Sequence, residues 1–409
     1  MSSELIEISE AQRRVLERCS PLGVEAVALK DALGRVLAED VSSADDVPGF
    51  DNSAMDGFAV RAADTRGATS ATPASLRIVD ESRAGAPAAS AVAAGEAIAI
   101  STGAMLPRGA DAVVRVEDTA ARDGRVEVAA EVEPGRDVRR AGDDVRAGEP
   151  VLAAGSILGP AEVGVLASIG HPTVRCARRP RVAVVTTGDE LLDPSEPLRP
   201  GGVRNANAYS VPALAERAGA EVVAVEVAPD DRAATAAVLE RALAADVAVV
   251  CGGVSVGEHD HVRAALAELG VEQVFWGVAL RPGKPTWFGI HAGGPEGGAL
   301  VFGLPGNPVS AMVTFILLAR PAIAALLGAP LEAKRTTAIL DQPYDKRPGR
   351  AHAVRCTLEL RDDGWHASPT GEQGSHVLTS MLGAEALAIL PTGSGPASAG
   401  DRVDIELLF

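Results

Sequence analysis

The chain is poor in cysteine, in lysine and in basic residues overall, and the first and last of these shortages argue against particular classes of protein. The four cysteines are far apart and form no CxxC pair, which argues against redox and zinc motifs. We interpret them as reduced core thiols. Acidic residues outnumber basic ones, 55 to 38, and the formal charge of −17 argues against a nucleic-acid partner. An anionic small molecule stays compatible with this charge, because a pocket's local field can oppose it.

The sequence also lacks long hydrophobic runs. The N-terminal stretch MSSELIEISEAQRRV has no apolar signal core, so we expect a cytoplasmic protein. The apolar segment 309–318 is too short to span a bilayer, so we expect no membrane partner. With 409 residues and 47% hydrophobic content, the chain is long enough for two to four packed domains.

The stretch 246–310 organises the rest of the chain. It contains three short apolar runs, at 247–250, 274–280 and 300–302, and each ends in a glycine-rich turn. Such runs are typical of strands buried on both faces of a sheet. Ligands of open parallel sheets bind where the carboxyl ends of the strands meet their turns, so we expect a binding site there.

The turns of this stretch carry polar groups of both charges. Gly252 and Gly253 would let backbone N–H groups approach an anion closely. The polar residues at these strand ends are Ser255, Glu258, Asp260, Arg281, Lys284 and Asn307. Only four of the 38 basic residues are lysines, and Lys284 is one of them. Anion-binding groups beside acids predict a site for a phosphorylated ligand and a metal.

We predict a multidomain α/β plus β fold. From residue 181 strands alternate with helices, which predicts a doubly wound parallel sheet over 181–328 with helices on both faces. The turns after its first two strands carry Asp189 with Glu190 and Asp230 with Asp231, so these acids should gather at one edge of the sheet. Helical patterns at 9–19, 28–41 and 158–169 predict a discontinuous helical unit over 1–46 and 147–180. Residues 47–146 and 329–409 should form a β-rich domain and a small all-β domain.

One loop before the sheet could also carry function. In VPGFDNSAMDGFAV, residues 47–60, Pro-Gly and Asp-Gly are ordinary turn dipeptides. However, Phe50, Met55 and Phe58 would anchor the loop to a core and hold Asp51 and Asp56 rigidly, as a site requires.

Seven motifs occur in order from about Gly49 to the C-terminus: GFDNSAMDG, TTGDEL, GGVSVGE-x-D, RPGKP, GLPGNPVS, PGR and GxQGSH. Together they resemble the motifs of the molybdopterin molybdenumtransferase family. The eukaryotic counterpart of this family is the C-terminal region of gephyrin. The resemblance implies four domains, an elongated homodimer and a transferase reaction. In that reaction adenylylated molybdopterin and molybdate, with Mg²⁺, give molybdenum cofactor and AMP.

The resemblance also assigns roles to residues. The candidate catalytic residues around the pterin phosphate and Mg²⁺ are Asp56, Thr102, Glu190, Asp230 and Asp260, with Asp230 and Asp260 as the metal ligands. The candidate substrate-binding residues are Gly252, Gly253, Ser255, Arg281, Lys284, Ser310, Arg350 and Ser375, of which Lys284, Ser310, Arg350 and Ser375 would bind molybdate and the anionic pterin. Arg281 and Gly277 stand where the family commonly has lysines, and arginine differs from lysine in hydrogen-bond geometry.

The chemistry of these residue types agrees with the resemblance. Molybdate is an oxyanion and requires fixed N–H, hydroxyl and cationic donors, and Mg²⁺ prefers one or two carboxylates with phosphate oxygens. Two alternatives remain, a molybdopterin adenylyltransferase that uses ATP and a non-catalytic scaffold. ATP consumption, AMP release or neither would discriminate between the three. The pathway's adenylyltransferase and the molybdoenzymes that receive the cofactor are the candidate protein partners.

Overall fold

A computed structural model describes residues 5–254, 261–295, 298–330 and 335–408. Residues 5–180 contain two α-helices, twelve strands and three short 3₁₀ turns at Leu29–Asp31, Ala62–Thr65 and Val116–Asp118. Those helices and strands are α1 (Ile8–Leu16), β1 (Val24–Ala28), β2 (Val41–Ser42), β3 (Asn52–Ser53), β4 (Gly57–Val60), β5 (Ala74–Ser82), β6 (Glu96–Ile100), β7 (Ala112–Arg115), β8 (Thr119–Arg122), β9 (Arg125–Val128), β10 (Val138–Arg139), β11 (Pro150–Leu152), α2 (Pro160–Ser168) and β12 (Thr173–Ala177).

A six-stranded sheet in the order β7-β4-β6-β5-β9-β8 confirms the predicted β-rich region. Outside it, β1 pairs with β12 and β2 pairs with β11, which joins two segments far apart in sequence. Helix α2 is the predicted helix 158–169. It begins at Pro160, and the Glu162 carboxylate accepts a hydrogen bond from the Gly159 N–H at 2.9 Å.

The predicted helix over 28–41 is wrong. After β1 the chain makes one 3₁₀ turn, and Gly34 then adopts a φ of +73°, which a helix does not allow. The Val36 carbonyl accepts a hydrogen bond from Ala177 N–H and the Leu37 N–H donates to Ser156 O, both at 2.9 Å. The helical spacing of apolar residues was therefore misleading, because their backbone hydrogen bonds go to neighbouring strands.

The second half of the chain begins with an α/β region. Its elements are β13 (Arg181–Thr187), β14 (Leu191–Leu192), β15 (Val203–Arg204), α3 (Asn207–Arg217), β16 (Glu221–Ala228), α4 (Arg232–Ala242), β17 (Val247–Cys251), α5 (His261–Glu268), β18 (Val271–Trp276), β19 (Leu280–Arg281), β20 (Trp287–His291), β21 (Ala299–Leu304), α6 (Pro308–Thr314), a π-helical segment (Phe315–Ala319) and α7 (Arg320–Leu326). The central sheet has the order β16-β13-β17-β21-β20-β18.

The central sheet differs from the prediction at one strand. Strands β16, β13, β17 and β21 are parallel, as predicted, but β20 runs antiparallel to both β21 and β18. The described residues of the links into and out of β20 form no helix, and a parallel connection needs a crossover of a dozen or more residues. The predicted strand 274–280 also ends early, at Trp276, and β19 pairs with a different sheet.

Helix α6, the π-helical segment and α7 form one continuous stretch, Pro308–Leu326. Its 19 residues have a mean hydropathy of 1.9, so by length and composition alone it could cross a membrane. The prediction that this segment is too short counted only residues 309–318. However, 72% of it is buried inside the protein, where its side chains pack against the central sheet. We therefore interpret it as a core helix.

The last part of the chain forms a small closed barrel. Its elements are β22 (Arg335–Leu340), β23 (Ala351–Arg361), β24 (Gly364–Pro369), a 3₁₀ turn (Leu378–Met381), β25 (Ala386–Leu390) and β26 (Arg402–Leu407). The order β23-β24-β22-β26-β25 closes because β25 also pairs with β23. Strand β19 of the α/β region pairs with the start of β23. The predicted domain boundaries at 46, 146, 180 and 328 stay a prediction.

Candidate active site

Two adjoining cavities lie at the carboxyl edge of the central sheet. The inner one, about 450 Å³, is lined by the turns that follow β13, β17 and β21. The outer one, about 570 Å³, lies between the turn after β19, the start of α6 and two loops of the barrel. Both cavities share Pro285, Pro305 and Asn307 as walls, so they form one continuous cleft. We call this the cleft, with an inner and an outer part.

The turn after β17 requires glycine at two consecutive positions in the inner cleft. Gly252 and Gly253 have φ values of +96° and +65°. A Cβ on Gly252 would lie 2.6 Å from the Thr187 hydroxyl oxygen, and one on Gly253 would lie 2.3 Å from a Val262 methyl carbon. Both the backbone conformation and the space therefore exclude a side chain, which leaves the peptide groups of this turn open to a ligand.

Acidic side chains lie at the same edge of the sheet. The Asp189 N–H donates to the Asp230 carboxylate at 3.3 Å, and the Asp230 N–H donates to the Asp189 carboxylate at 3.1 Å. Both residues are exposed, and Glu190 lines the inner cleft beside them. Two exposed carboxylates fit Mg²⁺, which takes one or two of them and completes its shell with phosphate oxygens and water. Among the described residues no group of three His, Cys, Asp or Glu side chains could hold a metal alone.

Cations without acidic partners surround the outer cleft. Arg281, Lys284 and Arg350 line it. Arg355 lies behind the wall formed by Glu372 and Gly374, and Lys346 is close enough to His352 to affect its pKa. Lys346 and Arg355 each have only 1% of their surface exposed. None of the five forms an ion pair within the described part of the chain. Three cations and one acid, Glu372, line the outer cleft. This local excess of positive charge, in a protein with a net charge of −17, is suited to an oxyanion.

A two-residue strand pairing brings these cations together. Leu280 of β19 lies opposite Ala351 of β23, and Arg281 lies opposite His352. The Ala351 N–H also donates to the Ala279 carbonyl at 2.7 Å. Arg281 in the α/β region and Arg350 in the barrel therefore reach the same cavity, although 69 residues separate them in sequence.

A second contact joins the two walls of the outer cleft. The Asn307 side-chain amide, just before α6, donates to the Ser375 hydroxyl at 3.1 Å. Ser310, in the first turn of α6, is 4% exposed and lines the same cavity. The cleft thus offers hydroxyl and amide donors as well as cations.

The pKa of His352 is sensitive to the positive charges of this region. It is 4% exposed, and its Nδ1 lies 3.3 Å from the Tyr344 hydroxyl. Burial, reinforced by the positive charges of Arg281, Lys346 and Arg350, lowers the pKa of His352 to about 4. The imidazole is therefore neutral at neutral pH.

Models of three protein-family regions match the chain in order. The MoeA N-terminal region (domain I and II) matches residues 6–170, the probable molybdopterin binding domain matches 183–325, and the MoeA C-terminal region (domain IV) matches 337–408. Two curated proteins named molybdopterin molybdenumtransferase, from Haemophilus influenzae and Bacillus subtilis, are each 36% identical to the chain. The matches cover 98% of this chain and 98% and 94% of those proteins.

The chain belongs to the molybdopterin molybdenumtransferase family. A solved structure titled as the molybdopterin biosynthesis moeA protein from Pyrococcus horikoshii OT3 is 31% identical and has a TM-score of 0.83, over 99% of this chain and all of that one. The match confirms the predicted fold class, a multidomain protein with a doubly wound α/β domain, a β-rich N-terminal domain, a discontinuous helical unit and a small C-terminal all-β domain.

Most of the predicted site residues lie in the cleft. Glu190, Gly252 and Gly253 line its inner part, and the outer part is lined by Arg281, Lys284, Ser310, Arg350 and Ser375. Asp230 lies at the same sheet edge, bonded to Asp189, but lines neither cavity. Asp260 and Ser255, together with Glu258, lie outside the described residues. Their roles stay predictions.

Asp56 and Thr102 contact each other and line neither part of the cleft. One Asp56 carboxylate oxygen accepts hydrogen bonds from the Thr102 N–H at 2.7 Å and from the Thr102 hydroxyl at 3.1 Å. Both residues are exposed on the β-rich domain. The predicted site residues therefore form two groups in one chain.

Sequence reasoning missed several residues of this region. Asn207, the first residue of α3, lines the inner cleft, donates to the Gly306 carbonyl at 2.8 Å and keeps a buried Oδ1 without a partner. Lys346, His352 and Arg355 had no motif to mark them, because their importance comes from burial. Gly277 lines neither cavity. It has a φ of +88°, and a Cβ there would lie 2.8 Å from a methyl carbon of Leu5.

Replacing His352 with glutamine should make the stability of the protein less sensitive to acid. The unfolded imidazole takes up a proton near its usual pKa of 6.5, whereas the folded one resists protonation until about 4. The wild type therefore loses stability as the pH falls through this interval, and the variant lacks that contribution. The free energy of unfolding, measured with urea from pH 6.5 to about pH 4, should fall less in the variant than in the wild type.

The control is Tyr344→Phe, which removes the hydroxyl beside His352 but keeps the imidazole. It should retain the acid sensitivity of the wild type. A difference between His352→Gln and wild type that is constant with pH would contradict the buried neutral imidazole.

Proposed function

We propose that the chain inserts molybdenum from molybdate into adenylylated molybdopterin, releasing AMP and forming molybdenum cofactor. The curated relatives are named molybdopterin molybdenumtransferase, which supports a transferase that acts on molybdopterin. The adenylylated form of the substrate, the release of AMP, the need for Mg²⁺ and the homodimer are the finer parts of the proposal. A cytoplasmic location stays a prediction.

The observation that carries the proposal is the pairing of opposite charges along one cleft. Its outer part has cations without ion-pair partners, and acids lie at the sheet edge near its inner part. In our proposal Lys284, Arg350 and the Ser375 hydroxyl bind molybdate, since an oxyanion is held best by charged and hydroxyl donors. The peptide groups around Gly252 and Gly253 then bind phosphate oxygens of the nucleotide-linked pterin.

The acids would hold Mg²⁺ in this proposal. Asp230 and Asp189 would supply carboxylate ligands. Asp260 would be a further ligand, a role that rests on its sequence motif. Mg²⁺ bound there would neutralise charge on the phosphate oxygens as the bond to AMP breaks. The protein's own contribution is to hold both substrates in reach of each other, which lowers the entropic cost of their reaction.

We expect the purified protein to release AMP from adenylylated molybdopterin only when molybdate and Mg²⁺ are both present. Arg350→Ala should raise the KM for molybdate by about tenfold or more, because one charged contact is lost, and excess molybdate should restore much of the rate. Asp230→Asn should lose activity that molybdate does not restore. AMP release, followed by chromatography, measures both effects.

Arg347→Ala is the matched control, because Arg347 is an exposed arginine of the same loop that does not line the cleft. It should leave the KM for molybdate unchanged. AMP release that continues without molybdate and Mg²⁺ would refute the proposed reaction. Equal losses in the Arg350 and Asp230 variants, neither restored by molybdate, would refute the separate oxyanion and metal roles.

We further propose that each active site contains residues from both subunits of a homodimer. Asp56 and Thr102 line no part of the cleft in their own chain, although the resemblance assigns them to the same site. In a twofold dimer, the β-rich domain of one subunit can supply them to the cleft of the other.

Mixing two inactive variants tests the shared site. Asp56→Ala and Lys284→Ala, refolded together or coexpressed, should recover about a quarter of wild-type activity, because random pairing makes half the dimers mixed and each mixed dimer has one intact site. Lys284→Ala mixed with Asp230→Asn is the control. Both lesions then lie at the carboxyl edge of the central sheet of one chain, so every site in a mixed dimer keeps one and activity should not return. Failure of the first mixture to recover, with mixed dimers confirmed by tagging, would contradict the shared site.

A further inference from the structure

Arg355 is a buried arginine in the middle of β23, behind the wall of the outer cleft. Only 1% of its surface is exposed, and it forms no ion pair with any described residue. Burial lowers the pKa of its guanidinium, but an arginine keeps its charge in proteins. A buried cation without an acid is costly, and apolar residues of similar volume are often at least as stabilising. Its presence therefore suggests a role besides stability.

Among the described residues, the guanidinium donates hydrogen bonds only to the loop 372–380. Its Nε and Nη2 donate to the Ser380 hydroxyl at 3.1 and 3.0 Å, and Nη2 also donates to the carbonyls of Gly374 at 3.2 Å and Glu372 at 3.4 Å. Ser380 is itself 3% exposed. One side chain thus joins both ends of the loop 372–380.

The backbone of Arg355 holds the same loop. Its N–H donates to the Gln373 side-chain oxygen at 2.9 Å, and its carbonyl accepts from the Gln373 side-chain amide at 3.2 Å and from the Thr370 N–H at 3.0 Å. Residues 370–377 belong to no strand or helix. The position of this part of the loop therefore depends on Arg355 more than on regular secondary structure.

The loop that Arg355 holds is one wall of the outer cleft. Glu372, Gln373, Gly374, Ser375 and His376 all line that cavity, and Ser375 also contacts Asn307 on the opposite wall. Arg355 itself does not line the cavity. It can act on a ligand only through the loop and through the field of its buried charge.

We propose that Arg355 is a positioning residue for the oxyanion, which fixes the loop 372–375 at the outer cleft and adds a permanent positive charge behind it. This inference rests on the proposed function, because molybdate is the oxyanion of that reaction. A fixed dipole or charge stabilises a bound ligand most when it does not have to reorganise on binding. The bonds from Arg355 to two carbonyls leave the Gly374–Ser375 segment preorganised in this way.

The test compares three variants with the wild type, each assayed as the full-length chain. Arg355→Met removes the charge and the bonds, Arg355→Lys keeps the charge but loses the fork of donors, and Ser380→Ala removes the acceptor from the far end of the loop. The matched control is Arg361→Met, on the same strand, because Arg361 contacts Asp341 and Glu359 and no cleft residue. It should lower stability without changing the use of molybdate.

The readouts are the KM for molybdate, kcat at saturating molybdate, and calorimetric binding of molybdate alone. Arg355→Met should raise the KM by about tenfold or more, since bonds from a charged donor are among the stronger ones. In that variant kcat should change much less. Arg355→Lys should recover part of the loss, and Ser380→Ala should show a smaller shift in the same direction. If Arg355→Met does not fold, the KM and the molybdate binding of Arg355→Lys and Ser380→Ala test the proposal.

An unchanged KM and unchanged molybdate binding in the folded variants would overturn the proposal, as would an equal KM shift in Arg361→Met. Failure of the proposed function is recognised separately, because the wild type itself would then release no AMP in a molybdate-dependent way. Calorimetry with molybdate would still report whether Arg355 affects oxyanion binding in that case.

Discussion

The cleft depends on the short pairing of β19 with β23. Two paired residues and one further backbone bond set the position of Arg281 next to Arg350 and His352. Each such bond contributes only about 0.5–1.5 kcal/mol net, so the pairing alone does not hold the barrel to the α/β region. That adhesion comes from a shared hydrophobic core, in which Ala353, Leu387 and Leu408 of the barrel pack with the helix Pro308–Leu326. Burial holds the two parts together, and the strand pairing sets their register.

This register brings charged side chains of the α/β region and the barrel together at the cleft. In a chain with a net charge of −17, the cations of the outer cleft have no acidic partner among the described residues. Two of them, Lys346 and Arg355, are buried and bonded to carbonyl or hydroxyl oxygens. Ion pairs there would make the region more neutral and weaken its attraction for an anion. Burial, reinforced by the same cations, keeps His352 neutral, so these cations contribute both to the low pKa of that histidine and to the proposed affinity for an oxyanion.

The sequence predicted those parts of the fold and site that depend on local patterns. Short apolar runs and glycine turns predicted the central strands and the position of Gly252 and Gly253, and the motifs predicted the cleft-lining side chains such as Lys284 and Arg350. The prediction failed for 28–41, where apolar spacing typical of a helix belongs to residues bonded to distant strands. It also failed for β20, whose direction is set by connections too short for a crossover. The role of Arg355 could not be predicted, because it depends on burial and on bonds to a loop about twenty residues later.

The central claim is that molybdate binds among the unpaired cations of the outer cleft, and diffraction at the molybdenum absorption edge tests it most directly. Crystals of the wild type would be soaked in molybdate and the anomalous difference map calculated. The account predicts a molybdenum peak within hydrogen-bonding distance of Arg350, Lys284 and the Ser375 hydroxyl, and the loss of that peak in Arg350→Ala. A molybdenum peak elsewhere on the molecule, with the outer cleft empty, would contradict the account.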